Sequence, residues 1–468
     1  MMKQVLRAYK KTVSIVDETV VAMYEGIAKN KVGFLLESYD KNHDRFSFFG
    51  VEPRALLRSD GQRLIVTYND GTKEVIEGNP REALKQFYSR FEVRKDAGEL
   101  AFTGGLVGAL GYDFIRYTEE LPDDNPDPIG IETVQMMLVT DFIAVDHVSE
   151  TLTAVSIDED TPEGRKRGEQ TAQELICTVR RQMAKTGHTA NHRGKIIDKS
   201  DSLKSYCDKV SKIKHYIREG HIFQTVLSQR WTVETSADGY ELYKELRELN
   251  PSPYLYYFHF GEFEIIGSSP EMLVKQKDHY VYTCPIAGTR KRGKNEEEDA
   301  FLRDDLLRDE KERAEHVMLV DLARNDMGRI AEFGTVKVTQ FMEVQNYSHV
   351  MHIVSLVQGK SNNEYHPLDL VSSFLPAGTL SGAPKVRAME IIDELETYRR
   401  GLYGGAIGYI DFNGDMDFCI TIRTMIKKNH YVYLQAGAGI VADSVPEQEY
   451  EECCNKVMAL AKTVVDKF

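Results

Sequence analysis

The chain has 468 residues, 42% hydrophobic and 28% charged, an ordinary globular composition that can bury a large core and has length for two or three domains. Its net charge of −14 argues against non-specific nucleic-acid binding, so an anionic ligand must be met locally by Arg, Lys, a metal or backbone N–H groups. No apolar run reaches the roughly 18 residues of a membrane span, no signal-peptide core follows Met1-Met2-Lys3-Gln4, and the scattered cysteines at 177, 207, 284, 419, 453 and 454 form neither a disulfide framework nor a zinc pattern, which together suggest a reducing cytoplasm.

Residues 1–150 read as a strand-rich region, with period-two stretches such as Arg63–Tyr68. The glycine-spaced run Gly104–Tyr112 matches a dinucleotide fingerprint only loosely, since no βαβ context or downstream acid accompanies it. Residues 151–200 are polar and charged and read as a linker with one helix. From 201 to 468 helices alternate with short apolar strands. Leu203, Val210, Ile213 and Ile217 predict a helix ending near Gly220, and Glu310–Met327 a helix stopped near Gly328. Many strands with few βαβ periods argue for an α+β class.

The final helix carries the densest signal. Ser444 with Glu447 three residues later reads as a capping box, with Pro446 in the first turn. Tyr450, Cys453, Val457, Leu460 and Val464 recur at helical spacing and define a buried stripe. Glu449, Glu452 and Lys456 line its edge, whereas Glu451 points away. Carboxylates at a buried edge are costly unless something requires them there.

Other candidates are weaker taken singly. Glu315 opens an apolar helical run and, with Glu452, supplies two oxygen ligands of the kind Mg²⁺ takes; its plainer reading is an exposed ion-pair partner. Gly378–Lys385 looks like a phosphate loop but fails the spacing, with three residues rather than four between its glycines. The turns Gly404–Gly408 and Ala436–Gly439 let a ligand approach the backbone closely, or are simply bulges. Arg423, at the end of an apolar strand, suits a carboxylate or a structural acid. His349 and His352 have metal-like spacing without a third ligand, so zinc is rejected and His352 reads as a hydrogen-bonded core residue.

Taken together, Ile222–Ser228, Ser268–Met272, Pro285–Arg290, Glu315–Gly328, Gly378–Arg387, Tyr403–Tyr409, Ile422–Thr424 and Ala436–Lys456 resemble the chorismate-utilising enzymes, specifically anthranilate synthase component I, in that family's order. The resemblance implies a large α+β sandwich of two intertwined antiparallel sheets with helices outside. It implies addition of ammonia to chorismate, loss of the ring hydroxyl, and elimination of pyruvate to leave anthranilate, the first step of tryptophan biosynthesis. Glu271 is then the acid for the departing hydroxyl and His352 assists the elimination. Glu315 and Glu452 bind Mg²⁺, with Glu449 reaching it through water. Tyr403, Arg423, Gly437, Ala438, Gly439 and Lys456 hold the enolpyruvyl carboxylate, and Thr379 the ring carboxylate.

Gln224 stands where relatives that add water usually carry a lysine, so ammonia is the implied nucleophile. The family's segments for feedback-inhibiting tryptophan resemble Leu35-Leu36-Glu37-Ser38 and Asn250-Pro251-Ser252-Pro253-Tyr254, with Glu37 available for an amino group and Ser38 for a hydrogen bond. None of the cysteines lies in a Gly-x-Cys-x-Gly elbow, so glutamine hydrolysis implies a separate amidotransferase subunit. The alternatives are an aminodeoxychorismate synthase of the folate pathway and a non-catalytic chorismate- or tryptophan-binding regulator.

Overall fold

Period-two patterning builds two large sheets, and each draws strands from both ends of the chain. The computed structural model describes residues 3–15, 19–38, 45–94, 100–183, 194–347, 350–362 and 364–465. Among these, one sheet runs through Lys195–Lys199, Gln224–Glu234, Tyr431–Ile440, Thr424–Lys428, Phe263–Ser269, Tyr254–His259, Gly33–Glu37, Phe46–Val51, Asp141–Asp146, Thr151–Glu159, Gln4–Ser14 and Phe91–Arg94. The other runs through Ile286–Lys291, Val350–Lys360, Tyr280–Thr283, Met272–Lys277, Met416–Ile420, Ala406–Asp411, Gly105–Leu110, Val134–Val139, Ala55–Ser59, Arg63–Tyr68 and Lys73–Glu77. Pairing is antiparallel apart from Gln4–Ser14 against Phe91–Arg94. This is the α+β sandwich of interleaved sheets that the resemblance implies.

The alternation within one strand shows how the layers are filled. In Gly33–Glu37, Phe34 and Leu36 face an aromatic core between the sheets that includes Phe48, Phe102, Phe142, Tyr256 and Tyr409. Leu35, on the opposite face, joins Phe49, Tyr243 and Tyr257 in the core under the outer helices. Helices Pro162–Gln182, Leu203–Arg218, Gly239–Leu249 and Pro446–Ala461 cover that outer face, while Pro80–Tyr88, Glu310–Gly328 and Pro367–Phe374 cover the second sheet. No helix among the described residues is long and apolar enough to cross a membrane.

Two local expectations need correction. The last helix starts at Pro446 with Val445 as its cap and no side-chain capping bond, so the Ser444–Glu447 box does not form. Ser444 is buried instead, and its Oγ accepts from the Val441 N–H at 3.1 Å. The hydroxyl closes the preceding turn, and that local bond wins over the cap. Within 151–200, the expected helix is Pro162–Gln182, but Thr151–Glu159 and Lys195–Lys199 are strands of the first sheet; residues 184–193 lie outside the described residues.

Candidate active site

The site's acid sits where the chain crosses between sheets. Phe263–Ser269 belongs to the first sheet and Met272–Lys277 to the second, and Glu271 lies in the crossing, beside a register shift against Met416–Ile420. The Ile420 N–H donates to the Glu271 backbone carbonyl at 3.0 Å and holds the crossing in place. The Thr379 hydroxyl donates to Glu271 Oε1 at 3.0 Å. Both residues line a cavity of about 370 Å³ walled largely by Leu273, Leu319, Leu322 and Phe374. Burial there pushes the Glu271 carboxyl up to about 7, against the opposing pull of Thr379, Arg423 and Lys456. A carboxyl poised near neutrality is a proton donor at working pH.

His352, on Val350–Lys360, is half-buried rather than sealed in a core. Its Nδ1 lies 2.9 Å from the Gly288 carbonyl and 3.1 Å from Thr289 Oγ1. A ring nitrogen facing a carbonyl carries the proton, which leaves Nε2 as the basic atom. Burial, and secondarily Arg423, hold its pKa below the usual histidine value. His349 lies outside the described residues.

Arg423 occupies the turn between Met416–Ile420 and Thr424–Lys428 with φ +48°, an unusual conformation for a residue with a side chain. Its carbonyl accepts from the Ser268 N–H at 3.1 Å, while the side chain is exposed and its charge is felt by both Glu271 and His352. On the last helix, Lys456 Nζ lies 2.7 Å from Glu452 Oε1 and donates to the Gly437 carbonyl at 3.1 Å. Gly437 and Gly439 face inward along Tyr431–Ile440, whereas Ala438 turns to the helix-covered core. A Cβ on Gly437 would lie 2.8 Å from Val226 Cγ1 and 3.1 Å from Tyr403 Oη, and one on Gly439 would lie 2.8 Å from Gln224 Nε2. The bare backbone is what leaves room beside the Tyr403 hydroxyl.

The three acids expected at a metal also gather. The Glu315 carboxyl is raised by burial, then by Glu312, with Glu452 adding to it. Glu449 is raised by burial and by Glu452. The charge of Glu452 thus reaches both Glu315 and Glu449, a concentration of negative charge of the kind a hard cation offsets. Their carboxylate oxygens are donors of the kind Mg²⁺ takes, although among the described residues no three His, Cys, Asp or Glu side chains close on a single point.

One pair was missed in the sequence. Arg400 and Glu396 are both buried and bonded to each other, with Arg400 Nε to Glu396 Oε2 at 2.9 Å and Nη2 to Oε1 at 2.7 Å. Arg400 also donates to the Leu380 and Val226 carbonyls and lies 5.6 Å from the centre of the Tyr403 ring. Glu396 accepts from the Ser228 N–H and hydroxyl, both at 2.8 Å. The pair thus supports the backbone beside Thr379 and the ring of Tyr403 at once. Its sequence signal was an acid and a base four apart between Leu395 and Leu402.

The two segments expected at an inhibitor meet across strand pairing, with Leu255 opposite Glu37 and Tyr256 opposite Leu36. A cleft of about 600 Å³ opens there, lined by Leu36, Glu37, Ser38, Pro253, Tyr254 and, from the second sheet, Asp417. The Glu37 carboxylate does not face it. It accepts from Tyr243 Oη and from Arg247 Nε at 3.1 Å on the helix side of the sheet, as its alternation with Leu36 requires. The carboxylate that does face the cleft is Asp417, held by Tyr254 Oη at 2.9 Å and Lys275 at 2.7 Å. Asn250, Pro251 and Ser252 stay off the lining; Ser268 Oγ donates to the Asn250 carbonyl and Ser252 Oγ to that of Ser269, so they brace the turn.

Comparison with known proteins agrees with this architecture. The profile of the chorismate binding enzyme family matches residues 33–462. Anthranilate synthase component 1 of Acetivibrio thermocellus is 46% identical over 459 residues, covering 96% of this chain and 93% of that protein. The same component of Thermus thermophilus is 44% identical and covers 98% of each. The crystal structure of anthranilate synthase component I from Streptococcus pneumoniae superposes with a TM-score of 0.79 at 38% identity, covering 89% of this chain and 92% of that one. Matches of this extent, over the segments that build the site, place the chain in the chorismate-binding enzyme family, among the relatives of anthranilate synthase component 1.

Proposed function

We propose that the chain converts chorismate and ammonia to anthranilate and pyruvate, with ammonia delivered from glutamine by a separate amidotransferase subunit in the cytoplasm. The observation that carries this reading is the neutral-poised Glu271 beside Thr379, within the field of Arg423 and Lys456. Arg423, Lys456, the Tyr403 hydroxyl and the Gly437–Gly439 backbone gather donors suited to the enolpyruvyl carboxylate. Glu271 gives its proton to the departing ring hydroxyl, and His352 Nε2 takes a proton during loss of pyruvate. Glu315 and Glu452, with Glu449 beside them, would hold Mg²⁺, whose charge offsets the ring carboxylate when it is bound. Gln224, buried beside Gly439, offers no base to activate water, in keeping with an amine nucleophile.

The deciding assay incubates the purified chain with chorismate, Mg²⁺ and ammonium and follows anthranilate fluorescence and pyruvate release. Amination without pyruvate release would instead assign the aminodeoxychorismate reaction. Glutamine in place of ammonium should yield no product from this chain alone.

Metal dependence should trace to the acids around Glu452. Glu315→Gln and Glu452→Gln each remove a negative charge at constant shape, and should weaken Mg²⁺ binding by roughly 10–100-fold, with turnover falling alongside. Glu451→Gln, on the exposed face of the same helix, should leave both unchanged. Calorimetric Mg²⁺ titration without substrate reads the binding directly, and equal damage from Glu451→Gln would overturn the assignment.

Tryptophan should inhibit by occupying the cleft beside Ser38 and Tyr254, with Asp417 rather than Glu37 as the acid within reach of its amino group. Tyr254 pairs with Ser269, two residues before Glu271, so a ligand that favours one arrangement of this hairpin biases the acid's position. Ser38→Phe fills the cleft and should relieve inhibition while sparing uninhibited turnover. Anthranilate formation against tryptophan concentration tests both proteins, and a wild-type enzyme indifferent to millimolar tryptophan would remove the site.

A further inference from the structure

The helix Glu310–Gly328 presents Leu319, Leu322, Ala323 and Asp326 on one face, at the spacing of successive turns, and all four line the cavity that also holds Glu271. Asp326 is only 5% exposed and stands at this cavity among apolar walls. One of its oxygens accepts from Lys385 Nζ at 2.8 Å. A buried carboxylate needs a partner, and Lys385 supplies it, while Glu271 lines the same cavity. Thr283 and Thr379 add hydroxyls to the lining, donating to the Leu273 carbonyl at 2.8 Å and to Glu271 Oε1 at 3.0 Å, with lone pairs left to accept from water.

We propose that Asp326 and this cavity form the route by which Glu271 is reprotonated after each turnover. The inference rests on Glu271 being the acid for the departing hydroxyl. In that step the C–O bond breaks, its electron pair leaves with oxygen, and the Glu271 proton makes the leaving group water. The new amine releases its extra proton to solvent, and Glu271 is left as a carboxylate behind a substrate-filled mouth. A proton then passes from Asp326 through water in the cavity to Glu271. Asp326 recovers one from solvent beside Lys385, so one proton enters and one leaves per cycle. The charged and titratable groups facing Glu271 are Arg423, Lys456 and Cys284, and those facing Asp326 are Lys385 and Arg329. Burial raises both carboxyls above their ordinary values, that of Glu271 up to about 7 and that of Asp326 against the opposing pull of Lys385.

Stopped-flow anthranilate fluorescence with saturating ammonium and Mg²⁺, at slightly acidic pH, separates the first turnover from later ones. Asp326→Asn keeps an acceptor for Lys385 but cannot relay a proton. Its first turnover should match wild type within about twofold, while steady-state turnover falls by roughly 10-fold or more, the lower part of the range for a lost proton-transfer group. Ala323→Leu, which fills the cavity and leaves both carboxyls in place, should give the same split. Added formate should accelerate Asp326→Asn in proportion to its concentration and leave wild type unchanged. An equal loss in the first turnover of both variants would mark Asp326 as structural, and undiminished steady-state rates would overturn the route. Glu271→Gln tests the underlying reading separately: a slow first turnover there, with Asp326→Asn unimpaired, would retain the acid and remove the relay.

Discussion

Glu271→Gln is expected to lower turnover by roughly 10²–10⁴-fold with little change in chorismate binding, because the amide keeps the shape and the Thr379 contact but has no proton to give. The pH dependence should change with it. The acid works when protonated, and its carboxyl is pushed up to about 7, so the wild-type rate should fall as pH rises through that value. In the variant this limb should vanish. Stability runs the same way. A carboxyl whose folded pKa exceeds its unfolded one favours folding at low pH, and the folded state loses that advantage as pH rises from the unfolded value through the folded one. Glu271→Gln should therefore melt at a higher temperature than wild type above neutral pH and show no such gain in acid. Near-normal turnover in the variant would exclude the role.

Arg400→Met should be the most destabilising single change in the site's support. Arg400 and Glu396 are both almost fully enclosed, and removing the guanidinium leaves a carboxylate with only the Ser228 donors. Losing one member of a buried pair typically costs about 3–5 kcal/mol, because the remaining charge stays desolvated. The double replacement Glu396→Gln with Arg400→Met should recover much of that loss. Denaturant unfolding of the two variants reads the difference. If single and double variants unfold together, the cost is lost packing on Tyr112 and Tyr403 rather than a stranded charge.

Much of this was legible where the signal is local. The stripe Cys453, Val457 and Leu460 is buried as spaced, and the helix carrying Glu315 spans Glu310–Gly328, one residue past its expected end. What local pattern could not give was partnership. Ser444 had two possible bonds, to the helix it precedes or to the turn it closes, and only the folded geometry selects Val441. Period-two alternation with Leu36 puts the Glu37 carboxylate on the helix side of the sheet, which the motif around it does not convey. Arg400 and Glu396 carry little local signal because their worth depends on Tyr403, Val226 and Leu380, which are brought together only by the fold. Asp326 and Glu271, 55 positions apart, share a cavity that no spacing rule anticipates.

The interleaving of the sheets bears on how the polypeptide is made. Strand Tyr431–Ile440 sits in the interior of the first sheet, between Gln224–Glu234 and Thr424–Lys428, yet it leaves the ribosome about 200 residues after the Gln224–Glu234 strand it pairs with. Until it emerges, the Gln224–Glu234 strand has an open ladder on that side, and Gly437, Gly439 and Lys456 are still absent from the site. Synthesis therefore passes through a long interval in which the first sheet is still open, a period of exposed strand edges in which chaperone binding competes with aggregation.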